Sequence, residues 1–170
     1  MTPVLLLMDD EPAVQHAFRR FFREPDVSLL TANTAEEGLR LFSERRPDAV
    51  ILDLNLPDLP GMGVFHRLRV RDARVPVIFV TAQGTAQNAI EAMKLGAFDY
   101  LVKPLGLGQV RDIVGRAFQI SRLIHVPAVP EGQAAPEAAD VIVGRSSLMQ
   151  EIYKAIGLVA SQDINVLITG

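Results

Sequence analysis

The chain has 170 residues, 49% hydrophobic and 22% charged, enough apolar material for one compact core with some remainder. A formal net charge of -3 gives no electrostatic reason to expect nucleic-acid binding. The absence of cysteine excludes a disulfide framework and a thiolate metal site. The apolar runs fall far short of a membrane span, and the N-terminus lacks the basic flank and small-residue cleavage site of a secretory signal. A cytoplasmic protein without membrane contact is the expectation.

Five short apolar runs alternate with helical patterns. The run Leu5-Leu6-Leu7-Met8 stops abruptly at Asp9-Asp10-Glu11, and Pro12 pre-sets the first turn of a helix. The predicted strands are Val4 to Met8, Val27 to Thr31, Ala49 to Leu52, Val77 to Val80 and Tyr100 to Val102. Several are apolar at successive positions, as strands covered on both faces are. Between them, Val14, Phe18, Phe21 and Phe22 recur at helical spacing, as do Ala35, Leu39, Leu41 and Phe42. Gly63 to Val70, Ala86 to Leu95 and Val110 to Ile124 also read as helices. The expected fold is α/β: a doubly wound, five-stranded parallel sheet ending near Ile124, with right-handed crossovers.

Composition then shifts. Residues 125–140 read HVPAVPEGQAAPEAAD, rich in proline, alanine and acid, and are expected to form a linker. Pro127 and Pro130 argue against one long coiled coil running through it. Beyond it, Ser147 and Gln150 suit a capping box, and Met149, Ile152, Ile156 and Val159 follow at helical spacing. Val166 to Thr169 reads as a buried strand before Gly170. So short a piece builds no core of its own, and residues 141–170 are expected to open a further domain.

The candidate chemistry lies at strand ends. Asp9 and Asp10 by themselves suit a helix N-terminus. Asp53, at the end of Val50-Ile51-Leu52, by itself suits a loop. A parallel sheet gathers its strand ends on one edge, however, and clustered carboxylates call for a cation such as magnesium. Thr81 ends the fourth run; its hydroxyl either caps the next helix or donates to an oxyanion held at Asp53. Lys103 ends the fifth, where an ammonium beside the acids would pair with them and with an incoming phosphoryl group. Metal ligands, a nucleophilic carboxylate, a hydroxyl and an ammonium suit phosphoryl transfer.

These residues resemble the receiver domain of two-component response regulators over about residues 3–124. The resemblance rests on Asp9-Asp10-Glu11, the segment Asp53 to Gly61 (DLNLPDLPG), Thr81-Ala82 and Lys103-Pro104. It implies a CheY-like fold with strand order 2-1-3-4-5 and Asp53 as phosphoacceptor. It further implies Asp10 as a direct ligand of Mg2+ (or Mn2+), with Asp9 and Asp53 contributing and Asn55 giving a backbone carbonyl. Thr81 and Lys103 would contact the bound phosphoryl group, and the Lys103-Pro104 bond would be cis. Tyr100 matches the family's aromatic switch, although a packing aromatic on a strand fits there too. Gly96-Ala97-Phe98-Asp99-Tyr100-Leu101 resembles the NtrC-like subgroup. Where the family commonly has Phe after Lys-Pro, this chain has Leu105, followed by Gly106 and Gly108.

Residues 143–170 resemble the opening of the AAA+ domain of sigma-54-dependent activators, with Gly170 as the first glycine of the phosphate-binding loop. The lysine and hydroxyl of that loop are not in the sequence, so no ATPase activity is expected of this chain. The implied function is a phosphorylatable regulatory module, not a turnover enzyme. Its partners would be a sensor histidine kinase and a downstream AAA+ domain, with a homodimer left open. A stand-alone signalling module is the nearest alternative. A flavodoxin-like cofactor binder fits less well, because Asp9-Asp10-Glu11 would repel a flavin phosphate. An aspartate-based phosphohydrolase usually has two aspartates spaced two residues apart after the first strand, a pattern missing here.

Overall fold

The computed structural model describes residues 2–82, 89 and 92–124. The expected linker at 125–140 and the segment 141–170 lie outside them, as do residues 86–88, 90 and 91 of the helix expected over 86–95.

Along the chain run β1 (Val4–Met8), α1 (Pro12–Phe21), β2 (Ser28–Ala32), α2 (Ala35–Arg45), β3 (Ala49–Asp53), α3 (Gly61–Arg71), β4 (Val77–Thr81), β5 (Asp99–Val102) and α4 (Leu107–Ile124). The five strands form one sheet in the order β2-β1-β3-β4-β5, and every pairing is parallel. The doubly wound architecture is therefore as expected.

Period-2 alternation sends neighbouring strand residues to opposite faces. Leu6, Met8, Val50, Leu52, Val77 and Phe79 meet α2 and α3 through Leu39, Phe42, Val64, Phe65 and Leu68. Leu5, Leu7, Ile51, Ile78 and Val80 meet α1 and α4 through Phe18, Phe22, Val110, Ile113 and Ala117. All five residues of β3 and of β4 are buried, and the first four of each form an unbroken apolar run. Burying one such Leu, Ile or Phe contributes about 1.5–3 kcal/mol, so this two-sided core outweighs any single surface interaction.

Local signals set the helix ends. Pro12 opens α1, and Arg19 and Arg20 lie in its last turn, favourable to the dipole. The Thr34 hydroxyl accepts from the Glu37 amide at 3.2 Å at the start of α2, while Glu37 reaches back to the Asn33 amide at 2.9 Å. This variant of the capping box is legible as Thr34-Ala35-Glu36-Glu37, although the sequence reading passed over it. Before β5, the Ala97 amide bonds the Ala92 carbonyl and the Gly96 amide bonds that of Met93. With Gly96 at φ +86, this is a Schellman ending that favours glycine. The Gly96 carbonyl is taken in turn by Arg69 at 2.6 Å; that guanidinium also holds the Ala73 and Val75 carbonyls and lies 4.7 Å from the Phe65 ring centroid.

Several boundaries shift by one to three residues from expectation, two of them for a visible reason. β2 begins at Ser28, because the Val27 amide is held by the Arg23 carbonyl and the ladder opens with Ser28 to Pro3. α4 begins at Leu107, with Gly108 in its first turn. First-turn amides have no helical acceptor, so glycine costs less there, and burial of Val110, Ile113 and Val114 sets the helix position.

Candidate functional site: an acidic pocket at the sheet edge

β2 and β4 lie on opposite sides of the β1–β3 pair, so the connections leaving β1 and leaving β3 diverge and open a crevice above their C-terminal ends. Met8 pairs with Leu52 in register, which sets the following residues, Asp9 and Asp53, side by side. β4 and β5 end beside them: Asp53 pairs with Val80, Thr81 pairs with Val102, and the Lys103 amide donates to the Thr81 carbonyl at 2.8 Å. The structure thus brings Asp9, Asp10, Asp53, Thr81 and Lys103 to one edge. Asn55 is one turn further on; its amide donates to Asp53 Oδ1 at 2.8 Å. Tyr100 lies on β5 opposite Phe79, half-buried against the α2–α3 face of the core.

The loop after β3 folds back tightly on itself beside the pocket. Asn55 and Pro60 form an antiparallel bridge, and the Gly61 amide bonds the Leu54 carbonyl at 2.8 Å. A Cβ on Gly61 would collide with the Asp53 and Leu54 backbone, so this close approach needs glycine. On the other side, buried Gln15 of α1 donates to the Asp9 carbonyl at 2.7 Å and to Asn33 Oδ1 at 2.8 Å. The sequence reading missed Gln15. A polar residue on an otherwise apolar helix face, one turn after the acids, was the available signal.

Electrostatics centre on Lys103. Its Nζ is 2.8 Å from Asp53 Oδ2, 2.9 Å from Asp9 Oδ2 and 3.0 Å from Glu11 Oε2. The contacts to Asp53 and Glu11 are hydrogen bonds, whereas Asp9 Oδ2 lies off the hydrogen-bonding angle and keeps an unsatisfied lone pair. Burial alone would lower the Lys103 pKa, but the combined pull of Asp53, Asp9 and Glu11 outweighs it and holds the ammonium above its ordinary value. Burial raises the Asp9 carboxyl, and the help of Lys103 and the Glu11 amide does not offset it. The two shifts pull in opposite senses on one ion pair. We take the Lys103 charge as fixed, since two further carboxylates hold it, and Asp9 as the strained member.

One carboxylate oxygen each from Asp9, Asp10 and Asp53 lies within 4.8 Å of the others. An all-oxygen set with an unsatisfied buried acceptor fits a hard divalent cation such as Mg2+ or Mn2+. Asp53 is the one member that is buried, bonded to an ammonium and adjacent to a buried threonine. The Lys103-Pro104 bond is cis, as expected, and so is Glu24-Pro25.

A parallel sheet in this order, with an acidic pocket at its carboxyl edge, defines a doubly wound α/β domain with a candidate divalent-cation site. Residues 5–115 match the response regulator receiver domain family, and the chain belongs to it. It is 30% identical to the luminescence regulatory protein LuxO of Vibrio campbellii over 164 residues, 96% of this chain and 36% of that protein. It is also 30% identical to the regulatory protein AtoC of Escherichia coli over 167 residues, 98% of this chain and 36% of that one. The chain thus spans about a third of the length of these relatives. Among solved structures, a response regulator receiver domain from Clostridium thermocellum superposes with a TM-score of 0.67 at 32% identity, covering 72% of this chain and 98% of that one. NtrX from Brucella abortus, solved with ADP, shares the fold with a TM-score of 0.68 at 23% identity, covering 94% of this chain and 34% of that one. Receiver domains generally bind Mg2+ in an acidic pocket, and the aspartate cluster here is the corresponding feature. No described helix is long and apolar enough to cross a membrane.

Proposed function

We propose that Asp53 accepts a phosphoryl group from a phosphohistidine of a sensor kinase, and that the receiver relays this event to a downstream regulatory domain. The observation that carries the reading is Lys103 Nζ lying 2.8 Å from Asp53 Oδ2, with Asp9 and Asp10 within reach of one cation. An Asp53 oxygen attacks phosphorus, the P–N bond breaks, and an acyl phosphate forms with the imidazole as leaving group. Asp9, Asp10 and Asp53, with the Asn55 carbonyl, would hold Mg2+, which supplies charge neutralisation for the transfer. Lys103 neutralises charge on the arriving group, and the Asn55 amide fixes the other Asp53 oxygen.

Relay is assigned to Thr81 and Tyr100. Thr81 is buried beside the pocket, and its hydroxyl would move toward the phosphoryl oxygen. The Tyr100 hydroxyl is buried with no hydrogen-bond partner among the described residues, and burial raises its pKa. An unsatisfied buried hydroxyl costs about 1–3 kcal/mol, which leaves this side chain a second arrangement within reach. The downstream element is read as an AAA+ domain of the sigma-54-dependent kind, on the sequence resemblance of residues 143–170. The relatives' printed names, which include regulatory and transcriptional regulatory proteins, are in keeping with a regulatory output.

Labelling with a small phosphodonor and Mg2+ tests the reading. Asp53→Asn is expected to abolish acid-labile, hydroxylamine-sensitive label while unfolding with the same cooperativity. Label retained at the wild-type rate would remove Asp53 from this role.

A further inference from the structure

An ammonium has three N–H donors; Lys103 gives hydrogen bonds to Asp53 and Glu11 and makes an ion pair with Asp9 at 2.9 Å. A phosphoryl oxygen arriving on Asp53 therefore has to compete for the ammonium with carboxylates already within 3.0 Å of it. The three partners are not equally held. The side chains of Asp9 and Asp53 are 0% and 5% exposed, whereas that of Glu11 is 53% exposed. The Glu11 backbone is fixed: its amide donates to Asp9 Oδ1 at 2.9 Å and its carbonyl accepts from Gln15 at 3.2 Å. Only its side chain is free to swing into water. Releasing a buried carboxylate strands a charge unless a bound cation replaces the ammonium, whereas an exposed one is rehydrated at little cost.

From this geometry we infer that Glu11 is a positioning residue that holds Lys103 in reserve and surrenders it when a phosphoryl group occupies Asp53. The inference rests on Asp53 as the phosphoacceptor. Glu11 then competes with the phosphoryl group for one donor and sets how strongly the pocket retains it. The rival explanation is plain repulsion between the Glu11 carboxylate and any anion in the pocket. The two differ in whether the effect runs through Lys103, which a double-mutant cycle isolates.

The test titrates the full chain with beryllium fluoride and Mg2+, following amide resonances around Asp53. Glu11→Gln is expected to lower the half-saturating concentration about two- to fivefold, the range an exposed ion pair is worth. In a Lys103→Met background the same substitution is expected to change nothing. A second measurement needs no Lys103 variant: on saturation, the wild-type Glu11 side-chain carboxyl carbon resonance should move to that of a free, solvated glutamate. Equal affinities for wild type and Glu11→Gln, a full effect persisting without Lys103, or an unmoved Glu11 carboxyl resonance would each overturn the inference while leaving Asp53 in place. A wild-type chain that ignores beryllium fluoride would overturn the Asp53 reading and this inference with it.

Discussion

Asp58 reaches Ala35 across 23 residues of sequence: its two carboxylate oxygens accept from the Ala35 and Glu36 amides at 2.8 and 3.0 Å. The loop that follows Asp53 therefore also caps α2. Because Thr34 caps the same helix from within, α2 has two independent caps, one local and one tertiary. The pocket loop is thereby tied to a helix that contributes nothing else to the site.

Asp58→Ala is expected to lower stability by about 1 kcal/mol at neutral pH, the usual worth of an N-cap. Hydrogen bonds from the Ala35 and Glu36 amides hold the Asp58 carboxyl below its ordinary value of 3.8. The contribution is thus present above that value and is lost as pH falls through the lower, folded one. Urea unfolding of both proteins at neutral pH and near pH 2 checks this; equal stabilities at neutral pH would show that Thr34 suffices as cap.

Magnesium is expected to raise the melting temperature, since binding to the folded state alone stabilises by mass action. Burial raises the Asp9 carboxyl, so the folded, metal-free pocket holds a proton there to higher pH than a free aspartate does. Metal has to displace that proton, so affinity should rise as pH rises through the Asp9 value and fall on acidification. Asp10→Asn should weaken binding several-fold. Lys103 already offsets repulsion between Asp9 and Asp53, so any gain in metal-free stability from that change should be small. A magnesium midpoint that does not weaken as the pH is lowered through the Asp9 titration would remove Asp9 from the ligand set.

Lys103→Met should cost about 3 kcal/mol, because it leaves the buried carboxylates of Asp9 and Asp53 without their counter-ion. The Lys103 pKa lies above its ordinary 10.5, so its contribution is complete below that value and is lost only as pH rises through the folded value. The deficit of the variant should therefore stay level from pH 7 to 9. Acidification should narrow it, as Asp9 takes up a proton and no longer needs the ammonium. Denaturant unfolding across that range reads the difference, and a deficit gone by pH 9 contradicts the raised pKa.

Saturation with beryllium fluoride and Mg2+ should shift amide resonances of β5 and of α4, not only those beside Asp53. The expected route runs from Thr81 to Tyr100, and its strength is bounded by the differential affinity of the ligand for the two packings. Thr81→Ala should keep the pocket shifts and lose the distant ones. Distant shifts that survive this substitution would place the coupling elsewhere.

The strands were legible in the sequence because a sheet covered on both faces demands unbroken apolar runs, and β1, β3 and β4 supply them. The acids of the pocket were legible for a related reason: an apolar run that ends on a carboxylate puts charge at the sheet edge, and parallel order gathers those edges. Asp9, Asp10, Asp53, Thr81 and Lys103 could therefore be singled out before any fold was known. Their partners could not. The pairing of Lys103 with Glu11 spans 92 residues and that of Arg69 with the Gly96 carbonyl spans 27, distances at which no periodicity survives. The same holds for Asp58 on Ala35. Sequence by itself determined which residue types stand at the strand ends, because local periodicity and turn chemistry act within a few residues. Only the tertiary structure decided which charge faces which, how deeply Asp9 is buried and which carboxylate can let Lys103 go. Those quantities depend on solvent exclusion and on through-space distance, which the order of residues along the chain does not carry.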